Sequence, residues 1–114
     1  VTIHSFTPVY FGQPRQVELG VIHDADPDLA LSVVAEARAQ GGLRTELNQP
    51  YSAADDVTHT LRLHATPYGL RNVMLEIRND LIAHPQAEEE MAHRLAPILR
   101  NALSALQRGR HRSA

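Results

Sequence analysis

Val73-Met74-Leu75-Glu76-Ile77 decides the fold class of this chain. It is a short apolar run with β-branched residues at both ends, bounded upstream by Pro67 and Gly69, which break the preceding segment. A short, mostly apolar run of this length reads as a strand covered on both faces. Covering both faces takes helices, and the sequence supplies them. Leu29, Ala30, Val33, Val34 and Ala37 recur at helical spacing behind Asp26 and Pro27, which suit a helix start, and Gly41-Gly42 ends the run. After His84-Pro85, the residues Met91, Leu95, Ile98, Leu99, Ala102 and Leu106 form a second stripe, with Pro97 expected to kink the helix.

Four more segments complete the layout. Val1-Thr2-Ile3-His4 reads as a strand that leads through Ser5-Phe6-Thr7 to Pro8. Val9 to Arg15 reads as a loop around Gly12 and Pro14. Val17, Leu19 and Val21 alternate with Gln16, Glu18 and Gly20, as in a strand with one apolar face, and Leu43 to Leu47 is a further short strand. Asn48 to Tyr51 is turn-rich, and Ser52 with Asp55 forms a capping box for a helix running to His64. The order strand, strand, helix, strand, helix, strand, helix predicts an α/β fold with a mostly parallel or mixed sheet flanked by helices.

The chain has 114 residues, 43% hydrophobic and with a formal net charge of −2. That size and composition suit one domain or part of one, and the charge gives no case for nucleic-acid or membrane binding. No apolar run is long enough to span a bilayer. Cysteine is absent, which excludes disulfides and thiolate metal sites and is compatible with a cytoplasmic location. Val1 opens inside a strand, so the chain is expected to be the tail of a larger protein or a product of cutting. Residues 108–114, with three arginines, read as a basic flexible tail. The sequence has no His-Glu-x-x-His helix, phosphate-binding glycine loop, dinucleotide fingerprint or Gly-x-Ser-x-Gly elbow.

Several residues stand out for chemistry. His4 sits where a buried strand meets a loop, a position that suits either a metal ligand or a hydrogen-bonded core histidine. Glu76 puts a carboxylate inside an apolar strand; burial raises a carboxyl pKa toward that of a useful general base. Arg78 shares its strand face, and a Glu–Arg pair that only fixes packing is the alternative. Arg15, in a Gly/Pro loop, is suited to gripping a carboxylate. Asn48 and Tyr51 lie on a connecting loop, and His64 shares a helix face with Val57 and Leu61, the setting of a core histidine. His23 and the remaining histidines read as surface or cap residues.

Ile3-His4-Ser5-Phe6-Thr7-Pro8 resembles the third zinc-ligand motif of the N-formylglutamate amidohydrolase family, and the Ile-His-Ser segment of zinc carboxypeptidases. Gly12-Gln13-Pro14-Arg15, Asn48-Gln49-Pro50-Tyr51-Ser52 and Glu76-Ile77-Arg78-Asn79-Asp80-Leu81-Ile82 resemble that family's motifs in the same order. The resemblance runs to about Leu103 and corresponds to the C-terminal half of the family's usual length. It implies a zinc-exopeptidase-like (phosphorylase/hydrolase-like) fold over residues 1–107 and zinc-dependent hydrolysis of N-formyl-L-glutamate or a related N-acyl amino acid, a step of histidine degradation. It further implies His4 as a zinc (Zn2+) ligand, Glu76 as general base, Arg15, Asn48, Tyr51 and Arg78 as substrate-binding residues, and His64 as support behind the site. The other two zinc ligands would lie before Val1, so this segment alone is expected to be inactive. Its expected partners are the substrate and the N-terminal remainder of the same protein, with homo-oligomerisation open. Two alternatives remain: a hydrolase of the same class acting on another N-acyl amino acid or a peptide, and a metal-free binding or structural domain.

Overall fold

The strand β6 (Met74–Arg78) lies inside a four-stranded sheet of order β1-β6-β4-β5. A computed structural model describes residues 1–113, with side chains described for residues 1–108. β1 (Thr2–Phe6) runs parallel to β6 on one side, and β4 (Leu19–Ile22) runs antiparallel on the other. β5 (Thr45–Leu47) is parallel to β4 at the far edge, so the sheet is mixed.

Alternation along β6 divides the molecule. Val73, Leu75 and Ile77 face α1 (Asp28–Gln40) and α3 (Pro85–Ser113), forming one core with Leu19, Val21, Val33, Leu95, Ile98 and others. Met74 points the other way and packs with Ile22 and Leu61 beneath the short helix α2 (His59–His64), with Tyr51 and Val57 against them. Glu76 and Arg78 are on this second face, beyond the apolar patch.

Several expected elements shift. β4 covers Leu19–Ile22, and all four of its residues are buried, because both faces of the sheet are covered there. β5 begins at Thr45. The loop from Val9 to Arg15 contains a small hairpin of β2 (Val9–Tyr10) and β3 (Gln13–Pro14). Its turn residues Phe11 and Gly12 both have positive φ, 49° and 76°, the geometry that suits a tight two-residue turn. The Ser52–Asp55 capping box forms, but it opens only a 3₁₀ turn; Asp56 adopts a left-handed conformation and α2 starts later, at His59. α1 starts one residue later than Asp26 and Pro27 suggest: Pro27 takes the N-cap position and Asp28 is the first helical residue, while Asp26 Oδ1 accepts from the Asp28 N–H at 3.0 Å just ahead of the helix. Pro97 is accommodated within the continuous α3, whose backbone runs to Ser113. The side chains of 109–113 and all of residue 114, most of the expected basic tail, lie outside the described residues. No helix among the described residues is both long and apolar enough to cross a membrane.

Candidate active site

The parallel pairing of β1 with β6 places His4 directly across from Glu76, and Phe6 across from Arg78. Residues opposite each other in adjacent strands project from the same face about 5 Å apart. On the other side of β6, Glu76 is in register with Gly20. Glu76 is therefore flanked by an imidazole on one side and by a residue with no side chain on the other.

Glu76 is 5% exposed, and its Oε2 has no hydrogen-bond partner. Burial pushes the carboxyl pKa above its ordinary value, while the positive charges of His4 and Arg15 pull the other way without cancelling the shift. A buried carboxylate oxygen without a partner is costly and uncommon, and it is an acceptor available to a ligand.

Arg15 is held at both ends. Its backbone N–H donates to the Pro8 carbonyl at 2.8 Å, and its own carbonyl accepts from Arg78 Nη1 at 2.9 Å. Its guanidinium donates to the Thr7 carbonyl at 3.2 Å and to the Tyr51 hydroxyl at 3.4 Å. The rings of Tyr10, Phe6 and Tyr51 surround it, with centroids 4.5, 5.4 and 5.5 Å from the guanidinium carbon. Among the described residues no carboxylate is within ion-pair distance of Arg15, so its charge is ready for an anion.

Arg78 lies on the Glu76 face, as expected, but its guanidinium is committed elsewhere. Nε and Nη2 form a fork onto Asp80 at 2.7 and 3.1 Å, leaving Nη1 for the Arg15 carbonyl. The hydrogen bonds from Arg78 hold the Asp80 carboxyl below its ordinary value, and the same fork raises the Arg78 pKa. Arg78 thus anchors the backbone of Arg15.

The loop after β5 crosses the face above Gly20. A Cβ at Gly20 would collide with the Gln49 carbonyl and sit 3.2 Å from Pro50 Cδ, so only glycine lets this loop lie so low. The Gln49–Pro50 peptide is cis, and Tyr51 follows with its ring against the Met74 patch and its hydroxyl at Arg15. Asn48 opens the loop at φ 55°, with its amide turned to His23.

Two histidines differ from expectation. His4 is exposed, because β1 is the edge of the sheet among the described residues. Its ring makes no hydrogen bond there, so it is no core histidine. His64 is also exposed, on the outer rim of α2 beside Val1 and Thr2, and no hydrogen bond joins it to His4, Glu76 or Arg15.

Among the described residues, no three His, Cys, Asp or Glu side chains are grouped to hold a metal. Catalytic zinc takes three protein ligands. A free imidazole beside one partnerless carboxylate fits one ligand position and a neighbouring base, not a whole site.

Sequence reasoning missed Gly20, His23 and the rings of Phe6 and Tyr10. Gly20 carried a signal, since an isolated glycine in a strand marks a close backbone approach. The other three gave none, since their roles depend on contacts between distant segments.

The N-formylglutamate amidohydrolase family matches residues 1–83 of the chain. The crystal structure of gene product Atu2144 from Agrobacterium tumefaciens is similar at 50% sequence identity and a TM-score of 0.87, over 90% of this chain and 40% of that one. The present chain therefore spans well under half the length of that relative. No curated protein matches.

Proposed function

The chain belongs to the N-formylglutamate amidohydrolase family, and from that premise we propose that it carries the general base and the substrate-holding groups of a zinc-dependent amidohydrolase. The substrate is N-formyl-L-glutamate or a related N-acyl amino acid. The observation that carries this reading is Glu76, a buried carboxylate with a partnerless oxygen, in register with an exposed imidazole and close enough to Arg15 to feel its charge.

Each residue has a separate task. Arg15 grips a substrate carboxylate through its guanidinium, which Tyr51 fixes in place. Arg78 and Asp80 hold the Arg15 backbone in place, and Asn48 shapes the loop that carries Tyr51. Glu76 takes a proton from water as the water oxygen bonds to the acyl carbon, then delivers that proton to the amide nitrogen as the C–N bond breaks. The products are formate, when the acyl group is formyl, and the free amino acid. The raised pKa of Glu76 suits both transfers, since a very weak base would not accept the proton.

His4 would be one zinc ligand, with the others supplied from outside these 114 residues. A bound zinc would polarise the acyl carbonyl and make water easier to deprotonate. The complete protein is expected to contain zinc and to release formate from N-formyl-L-glutamate. Glu76→Gln is expected to lower turnover by ~10²–10⁴-fold while zinc content stays unchanged. Turnover within a few-fold of the parent would remove Glu76 from the role of base. A complete protein free of zinc would favour the binding-domain alternative.

A further inference from the structure

We propose that His23 is a positioning residue that locks the Asn48–Tyr51 loop over the catalytic face by acting as a fixed tautomer. Its two ring contacts carry the argument. Asn48 Nδ2 lies 3.0 Å from His23 Nε2. An amide nitrogen can only donate, so Nε2 accepts and carries no hydrogen. His23 Nδ1 lies 2.6 Å from the Asp24 carbonyl oxygen, which can only accept, so Nδ1 carries the hydrogen. Both contacts select the same tautomer. The orientation of the amide is fixed as well. Asn48 Oδ1 accepts the backbone N–H of His23 at 3.3 Å, and turning the amide over would set two donors against each other there.

Both sides of this clasp are anchored. On the β4 side, the Asp24 carboxylate accepts from Thr58 at 2.8 Å and from Thr66 at 3.1 Å, tying the strand end to α2 and the turn after it. Burial alone would raise the Asp24 pKa, but these two hydrogen bonds and the Ala25 N–H outweigh it and hold the group ionised to lower pH. On the loop side, the Asn48 N–H donates to the Val21 carbonyl at 2.8 Å. From Asn48 the chain has three residues to travel before Tyr51 reaches Arg15, and it passes Gly20 in contact on the way. A loop this short transmits the setting of Asn48 directly to Tyr51. In this arrangement His23 acts through Asn48.

The kinetic consequence rests on the roles given above to Tyr51 and Arg15, while the tautomer does not. The test has a spectroscopic and a kinetic arm, both on the complete protein. Ring ¹⁵N spectra are expected to show His23 with a protonated Nδ1 and a bare Nε2, and Asn48→Ala is expected to shift the Nε2 resonance. An Nε2–H tautomer, or a resonance indifferent to Asn48→Ala, overturns the proposal whatever the protein hydrolyses. In the kinetic arm, His23→Ala is expected to raise KM for N-formyl-L-glutamate about five- to tenfold, the scale of one lost hydrogen bond, with kcat changed less than about threefold. His23→Gln, whose side-chain oxygen reaches the place of Nε2, is expected to recover most of the loss. An unchanged KM in His23→Ala overturns the positioning role. If that variant does not fold, a KM for His23→Gln within about threefold of the parent supports the role and a larger rise overturns it. If the parent is inactive on every N-acyl amino acid, the functional reading fails and the ring spectra alone decide the clasp.

Discussion

Replacing Glu76 by glutamine is expected to make the metal-free protein more stable at neutral pH, although most substitutions at buried positions destabilise. The cost being relieved is visible in the structure. Glu76 is 5% exposed and its Oε2 has no partner, whereas the same carboxylate in an unfolded chain is fully hydrated. An unsatisfied buried polar group costs ~1–3 kcal/mol, and more when charged. The charge of Arg15 returns part of this, but burial remains the larger influence, since the pKa is raised. Glutamine keeps the shape and removes the charge, but leaves an imperfectly paired amide. The expected net gain is ~1–2 kcal/mol at pH 7.

The pH dependence separates this cause from ordinary repacking. A carboxyl whose folded pKa is raised costs no stability where both states are protonated. The cost grows as pH rises past the unfolded value of ~4.3 and is complete above the raised folded value. The advantage of Glu76→Gln should therefore be largest at neutral and mildly alkaline pH and shrink as pH falls toward ~4. Urea unfolding of chelator-treated parent and variant measures it directly. With m of ~1–3 kcal/mol/M, the gain moves the midpoint by roughly 0.3–2 M at pH 7. A variant less stable than the parent at pH 7, or a gain independent of pH, would refute the reasoning. Stability gained together with turnover lost is the pattern of a group kept for chemistry.

Gly20→Ala is expected to destabilise by ~1–3 kcal/mol and to raise KM, because its Cβ would meet the Gln49 carbonyl and lift the loop that carries Tyr51; a variant as stable and as tightly binding as the parent would count against the close approach. Asp80→Asn is expected to cost about 1 kcal/mol at pH 7, discounted because Asp80 is 43% exposed. Asp80 has a lowered folded pKa, so the stability it contributes is present above its unfolded value of ~3.9 and disappears as pH falls through the lowered one. Urea unfolding should thus show parent and variant converging in acid, and a constant difference would mean the fork with Arg78 is not its source.

What the sequence makes legible follows the range of the interaction that decides each feature. The β6 strand, the α1 and α3 stripes, the Ser52–Asp55 capping box and the Asp26–Asp28 turn that leads into α1 are local, and the structure contains them. The sheet order is not local. Nothing in Val1 to Phe6 reports that β1 pairs with β6, so an apolar, β-branched segment reads as interior when, among the described residues, it is an edge strand with Ile3 59% exposed. Arg78 shows the same limit: two residues from Glu76 it reads as a partner in the site, and only the folded chain reveals that Asp80 and the Arg15 carbonyl claim it. His23 was illegible because its meaning lies in Asn48, twenty-five residues away.

The surroundings of Glu76 are unequal, and the inequality bears on how catalysis would proceed. On the β4 side, Gly20 leaves room that Gln49 and Pro50 fill, and the His23–Asn48 clasp holds them there. That side has little freedom left to admit water or substrate. On the β1 side, His4, Ser5 and Ile3 are exposed, and among the described residues no strand lies beyond them. The partnerless Oε2 is thus hemmed in by a fixed loop on one flank and adjoins an open strand on the other. A base needs rigid support behind it and access in front. The loop provides the support, and the open flank is the one bearing the imidazole that would hold zinc. A zinc held by His4 would bring its own charge to this flank and favour the ionised form of Glu76, opposing the direction in which burial takes it.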